Sequence, residues 1–273
     1  MICRTSKEPW FGCVLITALS FLPLLAVAAV NAPQRVHAFA ALPDWRGFWE
    51  WSTGVQLERV TGEVDAATLP QLLANTQLAG HPPYRPDWDA EYQARVKAHQ
   101  AQFASGRADA TSKGCTFGFP AQMEALDDTF QLVVTPEETV ILSERAEVRH
   151  IYTDGRHHPR GEDLWATVEG DSVGHWDGQT LVIDTIARTG GPIGFFASDA
   201  RLSDQARFTE RVRMLDHDTL EDQMTIEDPV AFVQPWRLTI RYHRVKGLDR
   251  FIGYDCSNDR NPIVDGRLTI APP

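Results

Sequence analysis

The sequence predicts an all-β fold in which short antiparallel strands close into a barrel, with a short helical insertion. Two observations support this prediction. Val, Ile, Phe and Trp are concentrated in short runs, and tight turns join consecutive runs, as in an antiparallel meander. A meander hides its unpaired strand edges most simply by closing into a barrel.

The clearest strand signals lie between Glu147 and Ile186. A strand-like run, Glu147–Tyr152, is followed by a polar turn and by two further runs that flank Asp177-Gly178. Because Asp and Gly tolerate the positive φ of a tight turn, this pair predicts a β-hairpin. The same stretch holds four of the nine histidines, so strands and candidate chemistry coincide there.

Residues 1–40 are predicted to form a secretory signal peptide. A basic start precedes an apolar run from Phe11 to Val30, and Ala38-Phe39-Ala40 supplies a small-x-small cleavage pattern. The alternatives are a membrane anchor, since the run is long enough to span a bilayer, and cleavage nearer Ala29. The signal peptide predicts a periplasmic or secreted protein, with residues 41–273 as a single domain that is not stably inserted in a membrane.

Charge and cysteine content follow from that cleavage. Loss of residues 1–40 removes three basic residues and one acidic residue, which leaves 23 basic and 36 acidic residues and a net charge of −13. Such a surface does not favour nucleic acid or anionic lipid. For the two remaining cysteines, Cys115 and Cys256, a disulfide is the simplest prediction in an oxidising compartment, and free thiols or a metal pair are the alternatives.

The other elements follow in chain order. Asp44–Ser52 is a predicted first strand. Leucine spacing after residue 68 and the run from Asp87, a candidate N-cap, predict a helical insertion over about residues 68–106. This insertion is either a lid over the barrel or an ornament without a role in ligand access. Further strands are predicted at residues 130–135, 139–144, 206–214, 219–227, 236–245 and 250–256.

The first predicted strand contains the triplet Gly47-Phe48-Trp49. It resembles the start of lipocalin-like barrels, in which a tryptophan at this point plugs one end of the barrel. The resemblance implies a lipocalin-like β-barrel for this chain.

Most of the mature chain also resembles a family of secreted bacterial proteins. The shared motifs are Tyr-Thr-Asp-Gly-Arg-x-His-Pro at Tyr152–Pro159, Gly-x-Trp-x-Gly-x-Thr-Leu-Val-x-Asp-Thr at Gly174–Thr185, Glu210-Arg211, Asp228-Pro229, Pro235-Trp236, and the cysteines Cys115 and Cys256. The chain departs from the family at Leu202, where histidine is frequent, and at Gln179, where a second acidic residue is usual. The resemblance implies a lipocalin-like barrel and export, without a particular activity.

Side-chain alternation predicts a cluster of titratable groups in the barrel lumen. Glu210 shares a strand face with apolar neighbours, and the same reasoning places four other residues on apolar faces. The predicted catalytic residues are His150, Tyr152, His175, Asp184 and Glu210, with Glu210 or His150 as the general base. Each has a structural alternative: hydrogen-bonded core residues for His150 and Tyr152, an outer-wall position for His175, a turn contact for Asp184 and an ion pair with arginine for Glu210.

The turn Asp154–His158 is a second candidate cluster. Arg156 and His158 are predicted at the barrel mouth, where they would orient an anionic or carbonyl-bearing substrate, and Trp176 is a further candidate substrate-binding residue. The alternatives are a metal site at Asp154, His157 and His158, whose spacing matches no established ligand motif, and a polar loop. We predict no metal here.

Together these residues predict an exported barrel that encloses a small, largely apolar molecule and acts on it as an isomerase, lyase or hydrolase without a cofactor. The sequence has no P-loop, nucleotide-binding or nucleophile-elbow motif. The alternative is a periplasmic binding or carrier protein without catalysis. Only the enzyme requires perturbed titrations in the lumen, whereas both require a pocket.

Overall fold

The computed structural model describes residues 36–37, 39–51, 81–104, 118–120, 123, 129–193, 200–251, 263–264 and 267–268. Most of the predicted signal peptide, the first part of the predicted insertion, the end of the predicted strand at 250–256 and both Cys115 and Cys256 lie outside these residues. The signal peptide and the disulfide therefore stay predictions.

The described residues form a β-barrel. The strands are β1 (Phe48–Trp51), β2 (Thr129–Val134), β3 (Glu138–Ser143), β4 (Val148–Tyr152), β5 (Asp171–Asp177), β6 (Thr180–Ile186), β7 (Gly191–Pro192), β8 (Arg201–Leu202), β9 (Arg207–Asp216), β10 (Thr219–Glu227), β11 (Trp236–Arg244), β12 (Ile263–Val264) and β13 (Arg267–Leu268). Among the described strands, nine close into a ring in the order β1-β11-β10-β9-β6-β5-β4-β3-β2, and the pairs β7-β8 and β12-β13 lie outside it. The predicted all-β barrel is confirmed.

Strand pairing in the ring is mixed rather than wholly antiparallel. β4 and β5 are parallel, with Ile151 opposite Ser172 and Tyr152 opposite Val173. A parallel pair needs a crossover instead of a tight turn, and residues 153–170 provide it along the outside of the barrel. The prediction of a pure meander is wrong at this junction, because the polar run after Tyr152 is a crossover rather than a hairpin turn.

The predicted hairpin is confirmed. β5 and β6 pair antiparallel from Asp171–Ile186 to Asp177–Thr180, which leaves Gly178 and Gln179 as the loop. Gly178 has φ of 61°, a value that glycine adopts without strain. The turn therefore lies one residue later than the Asp177-Gly178 pair suggested.

The core follows the two-residue alternation of the strands. On β11 every second residue, Trp236, Leu238, Ile240 and Tyr242, is buried, and the residues between them are exposed or half-buried. Burying one large apolar side chain contributes about 1.5–3 kcal/mol, so the apolar interior is the main stabilising feature of the ring.

Helix α1 (Pro86–Ala104) is the part of the predicted insertion that the structure describes. It begins one residue before the predicted N-cap Asp87, because the fixed φ of Pro86 suits a first helical turn. Trp88 and Tyr92 pack against Tyr84 at ring-centroid distances of 6.1 and 5.5 Å, and Tyr84 forms a β-bridge with Phe232. Among the described residues, no helix combines the length and apolar composition needed to cross a bilayer.

Trp49 and Arg244 close one end of the barrel. The Trp49 side chain is fully buried and donates from Nε1 to the Trp45 carbonyl oxygen at 3.1 Å. The Arg244 guanidinium lies 4.3 Å from the centre of the Trp49 ring. A Cβ at Gly47, where φ is 117°, would lie 2.7 Å from Arg244 Nη1, so glycine before Trp49 lets the arginine cover the indole.

Arg244 also ties the N-terminal segment to a distant turn. Its Nε donates to the His217 carbonyl oxygen at 2.9 Å, its Nη2 to that of Asp44 at 3.0 Å, and its Nη1 to that of Arg46. Three carbonyl groups from two parts of the chain therefore bind one planar cation. A guanidinium group suits this arrangement because its N–H donors point in fixed, different directions.

We expect Arg244→Lys to lower the free energy of unfolding by about 1–3 kcal/mol, because an ammonium group cannot serve three separate carbonyls and stack on Trp49. Urea unfolding measures the loss. Arg46→Lys is the matched control, since the Arg46 side chain is 89% exposed and exposed pairs contribute little. Equal losses in the two variants would contradict the closing role of Arg244.

Candidate functional site

A buried polar network crosses four neighbouring strands inside the barrel. β4 contributes Arg149, β5 Ser172, β6 Thr185 and β9 Glu210, and these strands are consecutive in the ring. All four residues are at most 2% exposed. The Arg149 side chain runs across the inner faces of β5 and β6 and reaches Glu210.

Arg149 and Glu210 form a bidentate ion pair. Nη1 donates to Oε1 at 3.1 Å and Nη2 to Oε2 at 2.5 Å. Arg149 also donates from Nε to Ser172 Oγ at 3.2 Å and from Nη2 to Thr185 Oγ1 at 2.9 Å, and it stacks 3.5 Å from the centre of the Phe119 ring. A buried pair offsets its desolvation only when such additional bonds are present, so the network is well satisfied around Arg149.

Asp222 is the second interior carboxyl group. It lies on β10 next to Met224 on the same face, and Met224 is opposite Glu210 of β9. Asp222 is fully buried, and its oxygens accept no hydrogen bond from an N–H or O–H donor of the described residues, but its protonated carboxyl group is hydrogen-bonded to Glu210. Burial raises the pKa of Asp222 well above its ordinary value, and the Glu210 carboxylate raises it further. The interior thus places a carboxyl group that favours its protonated form near a carboxylate.

Glu210 also faces an apolar cavity in the barrel. Its lining residues are Trp45, Met123, Phe130, Leu132, Ile141, Ile151, Leu181, Ile183, Glu210, Val212, Leu220 and Tyr242. The cavity measures about 10 Å³, roughly the room that one water molecule needs. A closed barrel of this kind could enclose a small ligand, which would require some of these side chains to move.

A larger pocket of about 330 Å³ lies at the closed end of the barrel. Its lining comes from residues 39–40 and 42–46 together with Leu132 and Val134, and the predicted cleavage after Ala40 would leave residues 42–46, Leu132 and Val134. Trp45 and Leu132 line both this pocket and the interior cavity. The Trp45 side chain is therefore a wall shared by the outer pocket and the space next to Glu210.

A further acidic group lies near the buried network. Burial raises the pKa of Glu169 to about 7, and the nearby Glu147 carboxylate raises it as well, while Arg149 and Arg188 act in the opposite direction. Glu147 accepts a hydrogen bond from the Gly118 N–H at 2.9 Å. The structure therefore brings several carboxyl groups into the field of Arg149.

Two of the predicted site residues, His158 and Asp184, meet on the outer wall. His158 Nδ1 lies 2.5 Å from Asp171 Oδ1, and Nε2 lies 3.3 Å from Asp184 Oδ2. Arg207 binds Asp184 through Nε at 2.7 Å and Nη2 at 2.5 Å. Because His158 belongs to the crossover while Asp171 and Asp184 belong to β5 and β6, this chain of contacts fastens the crossover to the barrel.

The prediction that His150 and Tyr152 face the lumen is wrong. Their rings stack outside the barrel at 6.0 Å, His150 contacts Glu138 at 3.0 Å, and its side chain is 49% exposed. Arg156, predicted at the mouth, lies 4.0 Å from the centre of the Tyr152 ring and pairs with Asp154 at 2.7 Å. These residues form an exposed stack away from Glu210.

His175 and Asp184 also lie on the outer face, contrary to the lumen prediction. On β5 and β6 the buried positions are Ser172, Leu181, Ile183 and Thr185, which alternate with the outward ones. Trp176 points the other way and packs edge-on against Trp45, with ring centroids 5.3 Å apart. Of the predicted catalytic set, the structure leaves Glu210 in the interior, and the catalytic role of each residue stays a prediction.

The error has one physical cause. On β4 the sequence offers a face with Val148, His150 and Tyr152 and another with Arg149, Ile151 and Thr153, and the first looks more apolar. The structure buries Arg149 instead, because Glu210, Ser172 and Thr185 satisfy its guanidinium group. A shift of one residue in strand register exchanges the inward and outward faces of the strand completely.

Sequence reasoning missed Arg149, Asp222 and Trp45. Asp222 could have been found, because it alternates with Leu220, Met224 and Ile226 in the same way that Glu210 alternates with Phe208 and Val212. Arg149 could have been inferred only together with Glu210, since a lone arginine predicts an outward face. No sequence signal distinguishes Trp45 from the other tryptophans of the same strand region.

The chain matches no family model, no curated protein and no solved structure. Within the described residues, no three His, Cys, Asp or Glu side chains group in a way that could hold a metal ion. At the turn considered for a metal, Asp154 binds Arg156 and His158 binds Asp171.

We expect Glu210→Gln to lower the free energy of unfolding by about 3–5 kcal/mol, because it leaves Arg149 buried without its counter-charge. Asp177→Asn is the control, since Asp177 and Arg211 form an exposed pair between β5 and β9 that contributes about 1 kcal/mol or less. Combining Arg149→Met with Glu210→Leu should restore part of the loss. Urea unfolding of all three proteins checks this, and a negligible effect of Glu210→Gln would contradict it.

Asp222→Asn tests the second carboxyl group through the pH dependence of stability. A carboxyl whose pKa is raised on folding binds more protons in the folded chain, so stability falls as pH rises from its ordinary value of 3.8 through the raised value. The variant does not titrate there. Its melting temperature relative to the parent should therefore increase from about pH 4 upward. Glu221→Gln, on the opposite face of β10 and bound by Arg213 and Arg241, should show the opposite trend or none.

Proposed function

We propose that this protein is an exported, lipocalin-like barrel that admits a small, largely apolar molecule to its interior and transfers protons on it without a cofactor. The reaction class is an isomerase or lyase that breaks a C–H bond next to a carbonyl group. Asp222 and Glu210 are the acid and the base, and Arg149 is a positioning residue that holds Glu210.

The observation behind this proposal is the unequal carboxyl pair. Asp222 is fully buried and accepts no hydrogen bond from an N–H or O–H donor of the described residues, and burial and the neighbouring Glu210, to which its carboxyl group is hydrogen-bonded, raise its pKa. Glu210 is bound by Arg149 and faces the apolar cavity. Two neighbouring carboxyl groups in unlike environments are a typical source of an acid and a base in one site. A carboxyl group buried without an N–H donor also costs stability, and such costs are common at functional sites.

The chemistry needs nothing beyond these groups. The Glu210 carboxylate takes a proton from the carbon next to the substrate carbonyl, and the electron pair of that C–H bond moves toward the carbonyl oxygen. The Asp222 carboxyl gives its proton to that oxygen, which yields a neutral enol. In the return step Glu210 gives a proton to carbon while Asp222 takes back the oxygen-bound proton, which restores both groups and completes an exchange or, when the proton returns to another carbon or face, an isomerisation. Positioned acid–base groups of this kind typically contribute a factor of about 10²–10⁴ in rate.

The lipocalin-like part of the proposal is supported by the end of the barrel. Trp49 of the Gly47-Phe48-Trp49 triplet is buried there under Arg244, where the resemblance implies that a tryptophan plugs the barrel. Export is supported by the N-terminal sequence and by the motifs shared with secreted bacterial proteins.

A carrier without catalysis is the second candidate. Apart from Glu210, the Tyr242 hydroxyl group and the Trp45 indole N–H group, the lining of the interior cavity is apolar, which suits retention of an apolar molecule as well as its conversion. In a carrier, Asp222 would transfer no proton. The two functions therefore differ in how Asp222→Asn changes the rate of proton exchange on a bound carbonyl compound.

Exchange of carbon-bound protons in D₂O separates these functions. Acetophenone is the probe, because its methyl protons lie next to a carbonyl and their replacement by deuterium is followed by ¹H NMR. We expect the mature protein to accelerate the exchange, and Asp222→Asn to slow it by about a hundredfold or more while remaining folded. Glu221→Gln, its outward-facing neighbour, should exchange at the parental rate.

The opposite outcomes are equally clear. Acetophenone that binds without faster exchange would favour the carrier and exclude this proton transfer. Exchange that persists in Asp222→Asn would remove Asp222 from the mechanism. Arg149→Lys adds a separate readout, since a positioning residue should change the rate and its pH profile more than the affinity for the probe.

A further inference from the structure

We infer that Trp45 is the specificity-determining residue of the barrel interior and that its indole N–H binds an oxygen atom at the far end of the ligand. The ligand class is then an apolar body with two oxygen acceptors, one facing the carboxyl pair and one facing Trp45. This inference rests on the proposed interior site but not on catalysis there.

The Trp45 indole carries a buried hydrogen-bond donor that is unpaired among the described residues. Trp45 is 3% exposed, and within the described part of the chain its Nε1 has no hydrogen-bond partner. Leaving a buried donor unpaired costs about 1–3 kcal/mol, so buried indole N–H groups usually find an acceptor. Trp49, four residues later, meets this expectation by donating to the Trp45 carbonyl oxygen at 3.1 Å.

Trp45 also borders two separate spaces. It lines both the interior cavity that Glu210 faces and the pocket of about 330 Å³ at the closed end. Edge-on packing against Trp176, at 5.3 Å and 87°, restricts the orientation of the ring. Trp45 therefore lies between the interior cavity and the part of the outer pocket that residues 42–46, Leu132 and Val134 would keep in the mature protein.

The lining of the interior cavity contains few polar groups. Leu132 shares both spaces with Trp45, and the other members of the interior lining are apolar except Glu210 and the Tyr242 hydroxyl group. An apolar cavity with few polar groups selects its ligand mainly through those groups. Trp45 and Glu210 thus supply two polar groups in an otherwise largely apolar lining, a pattern that a ligand with oxygen atoms at its two ends would match.

Two isosteric probes test this inference: 4-methoxyacetophenone and 4-ethylacetophenone. They share the acetyl group for the carboxyl pair and differ in an ether oxygen or a methylene group at the other end. We expect the mature protein to bind the methoxy compound about three- to tenfold more tightly, the gain from one neutral hydrogen bond. Trp45→Phe keeps an aromatic ring against Trp176 but lacks the N–H group, and it should remove the difference. Trp88→Phe, in α1, is the control and should retain it.

A ¹H–¹⁵N spectrum of the indole groups provides a second readout on the parent protein. The Trp45 resonance, assigned by its loss in Trp45→Phe, should move downfield with the methoxy probe and not with the ethyl probe. The Trp49 resonance should not respond in this way, because its donor is already bonded. If Trp45→Phe does not fold, the affinity ratio and the probe-specific shift of a single indole resonance still test the inference in the parent.

Equal affinities of the two probes, a preference that survives in Trp45→Phe, or no binding of either probe would overturn the inference. The proposed catalysis fails independently. If the methoxy preference depends on Trp45 but neither probe exchanges its acetyl protons, Trp45 selects the ligand of a carrier.

Discussion

The Arg149–Glu210 ion pair compensates for the weakest junction of the barrel. β4 and β5 pair over two register positions, Ile151–Ser172 and Tyr152–Val173, whereas β5 and β6 pair over seven. Arg149 crosses this short parallel junction from the inside, binds Ser172 and Thr185 on the way, and ends at Glu210 on β9. Closure of the ring therefore depends on a side chain where the backbone ladder is short.

The same junction is bridged from the outside. His158, in the crossover between β4 and β5, contacts Asp171 and Asp184 on the outer faces of β5 and β6. The sequence motifs that contain His158 and Asp184 thus have a structural explanation: one supplies the crossover and the other its attachment. Their polar residues need not be catalytic to be required, because a crossover detached from the wall would leave β4 paired to β5 by two positions.

The sequence predicted the parts of the fold that depend on local pattern. The strands β9, β10 and β11, the hairpin of β5 and β6 and the helix after Arg85 follow from two-residue or helical periodicity and from turn residues. The parallel junction could not be predicted, because a polar run such as Thr153–Pro159 is compatible with a turn and with a crossover. The inward faces of β4, β5 and β6 could not be predicted either, since both faces of each strand carry apolar residues and the choice depends on a partner, Glu210, that is about sixty positions away.

The same limit explains why the site was only partly predicted. Glu210 was assigned correctly to the interior because its face on β9 also carries Phe208 and Val212, and the opposite face carries three arginines. His150 and Tyr152 were assigned wrongly because they share a face with Val148, whereas the structure buries Arg149 and Ile151 on the other face. Buried polar residues in a barrel are tolerated only when they satisfy one another's hydrogen bonds. Such a group of residues can be recognised only when the strands that carry them are known to be neighbours.

The satisfied Arg149 network lies next to a second buried carboxyl group, Asp222, that favours its protonated form. If Glu210 lacked Arg149, a charged group would face an apolar cavity without compensation, and the barrel would lose several kcal/mol. With Arg149 in place, the fold tolerates the smaller cost of Asp222, whose raised pKa keeps a proton available next to a carboxylate. Because the folded chain holds this proton more tightly than the unfolded chain does, Asp222 lowers the stability of the barrel progressively as pH rises above its ordinary pKa of 3.8. Because Asp222 lowers the stability of the barrel, an interaction with a ligand explains its presence better than a structural role does.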